Sequence, residues 1–199
     1  MIKTILIATT NKGKQAEIFA LLENKICLLR APQDLSISLK VNEIGSTYAE
    51  NARLKATAYC KASGLPALAD DTGLEVDALD GAPGVFSARF SPNPNASDAD
   101  RRALLISKLK SISGPWTARF VCTMALALPN GNIYYSHGIC RGEIISEERG
   151  NGGFGYDPVF LCEGTNLTMA ELGMAEKNII SHRAKAAMGI LPYIRSALT

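Results

Sequence analysis

Apolar positions along this chain follow two rhythms. Residues 3–9, built on a continuous Ile-Leu-Ile-Ala core, and residues 26–30 are too short for helices and read as buried strands. Between them, residues 15–24 place Ile18, Leu21 and Leu22 on one helical face, so the first thirty residues predict a β-loop-α-β unit. Residues 47–63 give a second helix with a stripe of Tyr48, Ala52, Ala56 and Tyr59. Residues 66–70 and 74–79 read as short strands separated by Asp71-Thr72-Gly73. Ser97 and Asp100 form a capping box ahead of a helix reaching about residue 112. Residues 117–128 and 133–145 are long strands, and Asn130-Gly131 between them signals a hairpin. Residues 168–173 predict a helical turn, and 181–198 a terminal helix that Pro192, lacking an N–H donor, should kink or break. These elements describe an α/β fold with a mixed sheet, in a single domain spanning residues 1–199.

Composition narrows the class. With 199 residues, 47% hydrophobic and 20% charged, the chain is long and apolar enough to bury a core. A net charge of +2 gives no basis for non-specific nucleic-acid binding. No run approaches the roughly 18–20 apolar residues that cross a bilayer, and the N-terminus lacks the apolar core of a signal peptide. The five cysteines are scattered, odd in number and without a C-x-x-C pair, so free thiols in a reducing cytoplasm are expected.

Four segments concentrate chemistry. Thr9-Thr10-Asn11-Lys12-Gly13-Lys14 follows a strand and starts a helix, bringing free N–H groups, the helix dipole and ammonium groups to one point that suits phosphate; an N-cap with solvated lysines is the plainer alternative. Asp70-Asp71-Thr72-Gly73 sets two carboxylates side by side, with Glu43, Glu50, Asn51 and Lys55 upstream; such oxygens suit Mg²⁺, and a self-capped turn is the alternative. In an extended segment the two acids face opposite ways, so only one of them serves catalysis. Phe154 between Gly153 and Gly155, followed by Tyr156-Asp157-Pro158, offers an aromatic face with backbone room around it, or else a core plug. Lys177, His182 and Arg183 gather donors at a helix start, while His137 in a strand reads as structural. No nucleophile elbow or cysteine signature supports a covalent hydrolase.

In this order, the segments resemble the inosine/xanthosine triphosphate pyrophosphatase family, essentially end to end. The matching residues also include Glu43-Ile44-Gly45-Ser46-Thr47-Tyr48-Ala49-Glu50-Asn51-Ala52, Leu74-Glu75-Val76-Asp77-Ala78-Leu79, Gly81-Ala82-Pro83-Gly84-Val85 and Ser87-Ala88-Arg89-Phe90. The departures are mild: Thr72 stands where serine is common, Thr10 where glycine is common, and Pro192 interrupts the last helix. The resemblance implies an elongated two-lobed α/β fold with a cleft, a homodimer and a Mg²⁺ requirement. It also implies cleavage of ITP, dITP or XTP to the monophosphate and pyrophosphate. Carried onto this chain, residues 9–14 would hold the triphosphate, Asp71 would be general base and metal carboxylate, and Glu43 a second metal ligand. Phe154 would stack on the base. Thr72, Gly155, Tyr156 and Asp157 join the substrate contacts, and Lys177, His182 and Arg183 would reach the base or its neighbouring groups. Alternatives are a Maf-type pyrophosphatase for pyrimidine or modified nucleotides, a non-enzymatic nucleotide-binding module and, last, RNA binding.

Overall fold

A computed structural model describes residues 4–22 and 27–198. Residue 3 of the expected first strand, residues 23–24 of the first helix and residue 26 of the second strand lie outside that set. The elements run β1 (Thr4–Ile7), α1 (Lys12–Leu22), β2 (Leu28–Arg30), α2 (Tyr48–Ser63), β3 (Ala67–Val76), α3 (Asp98–Leu109), β4 (Trp116–Ala127), β5 (Ile133–Ile144), β6 (Phe160–Cys162), α4 (Met174–Ile180) and α5 (His182–Leu198). Among the described residues the strands form one six-stranded sheet in the order β2-β1-β3-β4-β5-β6. It is mixed, because β1 runs parallel to β2 and β3 whereas β5 and β6 are antiparallel.

The chain divides into two compact units. The first holds the chain up to Asp71, Cys122–Gly138 and everything from His182 onward; the second holds Thr72–Val121 and Ile139–Ser181. In the first unit, β1 needs no polar face because helices cover both sides of it. Ile5 and Ile7 pack with Ile18 and Leu21 of α1 and Ile190 and Ile194 of α5. Leu6 and Ala8 pack the other way, with Ala52, Ala56 and Tyr59 of α2. Each large aliphatic side chain taken fully out of water contributes about 1.5–3 kcal/mol. In the second unit, Leu74, Leu105, Leu109, Phe120, Val159 and Phe160 form a separate core, with the Phe120 and Phe160 rings 4.4 Å apart.

Two expectations change and one helix is added. The acidic pair does not break the chain into two strands: β3 runs through Asp70, Asp71, Thr72 and Gly73, and residues 77–79 form a 3-10 turn. Both carboxylates are met by buried cations, so neither needs a turn to reach water. Pro192 sits inside α5, which continues to Leu198. The carbonyl that loses its donor belongs to Met188, an exposed residue, and the helix is not broken there. Residues 174–180, which belong to no predicted element, form a helix of their own, α4. Elsewhere the pattern holds: Thr47 and Glu50 cap α2, Ser97 and Asp100 cap α3, and Gly131 turns the β4–β5 hairpin at φ 93°.

Gly138 in β5 marks the tightest approach to α5. A Cβ there would lie 2.1 Å from the His182 carbonyl oxygen and 2.5 Å from the Ala186 nitrogen, both backbone atoms. Gly138→Ala is therefore expected to destabilise the protein by about 1–3 kcal/mol. The measurement is the urea midpoint at constant slope, and an unmoved midpoint would mean that α5 yields without cost.

Candidate active site

The turn between β1 and α1 is built around Asn11. Its side-chain oxygen accepts from the Lys14 N–H at 3.0 Å, making it the helix N-cap, and its own N–H donates to Thr9 Oγ1 at 3.2 Å. Gln15, buried behind the turn, donates from Nε2 to the Thr9 carbonyl at 2.7 Å. Thr10, Asn11 and Lys12 are exposed and Gly13 is half-buried. The first-turn N–H groups of Lys12 and Gly13 have no carbonyl partner within the helix, which leaves them for an anion. The cap and phosphate readings of this loop are therefore compatible, since the Asn11 cap sets the shape that presents those donors.

Lys12 and Lys14 behave differently. Lys14 turns inward, with Nζ 3.3 Å from Asp70 Oδ2. Asp70 is fully buried and also accepts from Arg183 Nε and Nη2, each at 3.1 Å. Arg183, 1% exposed, uses its remaining arm on Glu17 of α1. Burial works against charge on Asp70, but Lys14, Arg183 and Lys55 outweigh it and hold the carboxyl well below the usual range. Burial lowers the Lys14 pKa, with Asp70 pulling the other way. Among the described residues, Asp70 Oδ1 has no hydrogen-bond partner.

Asp71 has its own company. Its Oδ2 accepts from Asn51 Nδ2 at 3.1 Å and its Oδ1 lies 3.3 Å from Lys55 Nζ. Lys55 Nζ also lies 3.1 Å from Glu43 Oε1, so one ammonium bridges the two carboxylates. Burial raises the Asp71 pKa and Glu43 adds to the rise against the opposing lysines. Lys55 pays in solvation, yet Asp71, Asp70 and Glu43 raise its pKa. A cation is what this pair of carboxylates calls for. Among the described residues no third His, Cys, Asp or Glu joins them in a metal cluster. Two carboxylates nevertheless suit Mg²⁺, which takes one or two from protein and the rest from phosphate and water. Glu50, by contrast, belongs to the α2 cap, accepting from the Ser46 and Thr47 N–H groups at 2.7 and 3.2 Å.

The remaining sequence candidates lie in the second unit, apart from His182 and Arg183. Phe154 is half-buried on a loop, with its N–H donating to Asp157 Oδ2 at 3.2 Å. That carboxylate oxygen also receives Lys177 Nζ at 2.8 Å, and a Cβ on Gly153 would collide with it at 1.9 Å. Tyr156 is committed to the core, and its hydroxyl donates to the Ser87 carbonyl at 2.9 Å. Thr72 is half-buried in β3. Lys177 and Arg183, grouped as base donors in the sequence, each serve a different carboxylate. His182 is 6% exposed at the start of α5, where its carbonyl meets Gly138. Glu17 and Gln15 escaped the sequence reading. Lys55 and Asn51 were noticed only as neighbours of the acids, although polar residues beside Ala52 and Ala56 on a buried helix face are themselves a signal.

The Ham1 family model matches residues 5–193. A dITP/XTP pyrophosphatase from Geobacter sulfurreducens is 48% identical over 185 residues, covering 92% of each chain. One from Nostoc sp. is 43% identical over 200 residues, covering 100% of this chain and 98% of its own. Among solved structures, the HAM1 protein of Coxiella burnetii aligns with a TM-score of 0.87 at 39% identity, over 98% of this chain and 100% of that one.

Asp70→Asn should cost about 3–5 kcal/mol at neutral pH, because it leaves Arg183 and Lys14 buried without their counter-charge. Since the folded carboxyl has a depressed pKa, its contribution is complete above the ordinary carboxylate range and fades as pH falls through the lower folded value. Denaturant titrations at several pH values check this, and the gap between the two proteins should narrow only in acid.

Proposed function

This chain belongs to the Ham1 family, and from that premise we propose that it hydrolyses non-standard purine nucleoside triphosphates, ITP, dITP and XTP, to the monophosphate and pyrophosphate. The observation that carries the reading is the arrangement within the first unit. Asp71 and Glu43 share the Lys55 ammonium, and the Lys14 ammonium reaches the adjacent acid from the β1–α1 turn.

In this reading the turn at residues 9–14 receives the polyphosphate through backbone N–H groups, the α1 dipole and lysine charge. A water attacks the α-phosphorus, the bond from that phosphorus to the bridging oxygen breaks, and pyrophosphate leaves. The water proton passes to an Asp71 carboxylate oxygen. Asn51 and Lys55 fix the orientation of that carboxylate. Mg²⁺ held by Glu43 and Asp71 would offset phosphate charge and orient its oxygens. Phosphoryl transfer is mainly positioning and electrostatics, so this equipment is sufficient.

For the base, Phe154 supplies the stacking face and Lys177 a donor suited to the 6-keto oxygen of hypoxanthine or xanthine. Adenine would turn an amino donor toward that donor, and one unpaired buried donor costs about 1–3 kcal/mol, or roughly 5- to 150-fold in discrimination. Arg183 is engaged by Asp70 and Glu17, as Lys177 is by Asp157. A homodimer and a cytoplasmic location complete the proposal; the resemblance supports the first and the five free cysteines the second. No described helix is long and apolar enough to cross a membrane.

The test is pyrophosphate release from ITP, dITP, XTP, ATP, GTP, dUTP and dTTP, with and without a chelator. Hydrolysis of the first three in Mg²⁺, lost on chelation, is expected. Preference for the pyrimidines would favour the Maf-type alternative, and binding without turnover a nucleotide-binding module. Asp71→Asn should abolish turnover while preserving the thermal transition.

A further inference from the structure

The loop carrying Phe154 is unusual in how completely its backbone is held. The Phe154 N–H donates to Asp157 Oδ2 at 3.2 Å, and the Phe154 carbonyl accepts from the Asp157 N–H at 3.2 Å. Both polar groups of Gly155 go instead to α3. Its N–H donates to Asp98 Oδ2 at 2.8 Å, and its carbonyl accepts from Arg102 Nη1 at 2.9 Å. Asp98 and Arg102 stand four residues apart, on neighbouring turns of one helix face, so they bracket a single residue. Each is itself braced. Arg101 pairs with Asp98, and Arg102 makes a two-pronged pair with Glu148, both arms at 2.8 Å. Burial opposes charge on Asp98, yet Arg101 and the Gly155 N–H hold its carboxyl below the usual range. Gly155 adopts φ 61°, a conformation that glycine permits at no steric cost.

A surface loop ordinarily leaves such groups to water. Here every backbone donor and acceptor of the two residues is satisfied by protein while Phe154 itself remains partly exposed. We propose that Asp98 and Arg102 are positioning residues for base recognition, clamping Gly155 so that Phe154 presents a preset stacking face to the purine. The proposal rests on the pyrophosphatase reading above, and neither residue touches the nucleotide itself.

The experiment compares the parent protein with Arg102→Ala and Arg102→Lys. Three quantities are read: amide hydrogen exchange of the free protein at Phe154 and Gly155, KM and kcat for dITP, and Ki for inorganic tripolyphosphate, which has no base. Arg102→Ala should speed exchange at both amides and raise KM for dITP about tenfold, with kcat within about threefold. The tripolyphosphate Ki should move by less than about twofold, because that ligand does not need the loop. Arg102→Lys, which keeps one donor for the Gly155 carbonyl, should recover part of the loss and serves if the alanine variant fails to fold. Faster exchange with an unchanged KM would overturn the proposal. So would parallel losses for dITP and tripolyphosphate, which would report general damage, or exchange that does not change. A parent protein that releases no pyrophosphate from any purine triphosphate would instead overturn the functional reading, and the exchange data would still decide whether Arg102 holds the loop.

Discussion

A carboxylate that is wholly buried in the middle of a strand cannot remain charged unless cations are brought to it, and Asp70 obliges two helices to do so. Lys14 arrives from the first turn of α1 and Arg183 from the first turn of α5. Glu17, one turn further along α1, then takes the guanidinium's other arm, so α1 and α5 are tied to each other as well as to β3. The apolar packing of Ile18 and Leu21 against Ile190 and Ile194 allows many small slides of one helix on the other. Directional bonds among four charges, three of them buried, allow few. The network thus fixes the register of the packing and, with it, where the turn between β1 and α1 begins.

Asp71 depends on that arrangement. Adjacent residues on a strand point to opposite faces, so the cations gathered around Asp70 leave Asp71 to find its own on α2. Lys55 provides the cation, and Asn51, one helical turn before it, adds a hydrogen bond. The two acids therefore end in opposite electrostatic states. Asp70 is over-supplied with positive charge and pinned as an anion, whereas Asp71, sharing one ammonium with Glu43, sits closer to protonation. Environments that push two carboxyl groups apart in this way separate a structural role from a chemical one.

The strands, the hairpin and the caps were legible because each is written locally: the Ile-Leu-Ile run, Asn130-Gly131, and Ser97 with Asp100. Asp71-Thr72-Gly73 was misread as a break between strands for a physical reason. Asp-Asp-Thr-Gly carries every local mark of a loop, and the charges that let it stay in a strand lie 56 residues before and 113 residues after Asp70 along the chain. The same distance hid the separation of Lys177 from Arg183. Six residues apart, they look like one donor cluster, but the carboxylates that claim them, Asp157 and Asp70, are far apart in sequence. Helix α4 went unseen because its one buried residue is Lys177, so it shows no apolar stripe to detect. Lys55 was visible only as a charge near acids; that its stem lies on the buried face of α2 follows from packing.

The held loop at Phe154 matters because of the size of the effects involved. Fixing the backbone of one flexible residue costs about 1–2 kcal/mol, so a mobile Phe154-Gly155 pair would draw roughly 2–4 kcal/mol from any base that ordered it. Stacking on an aromatic ring returns only about 1–3 kcal/mol, and one mismatched donor distinguishes bases by a similar amount. A loop ordered by its ligand would spend the whole of that return on itself. Discrimination at the base then requires a face that is already in place, and the side chains available to put it there are those that engage the Gly155 peptide groups from α3.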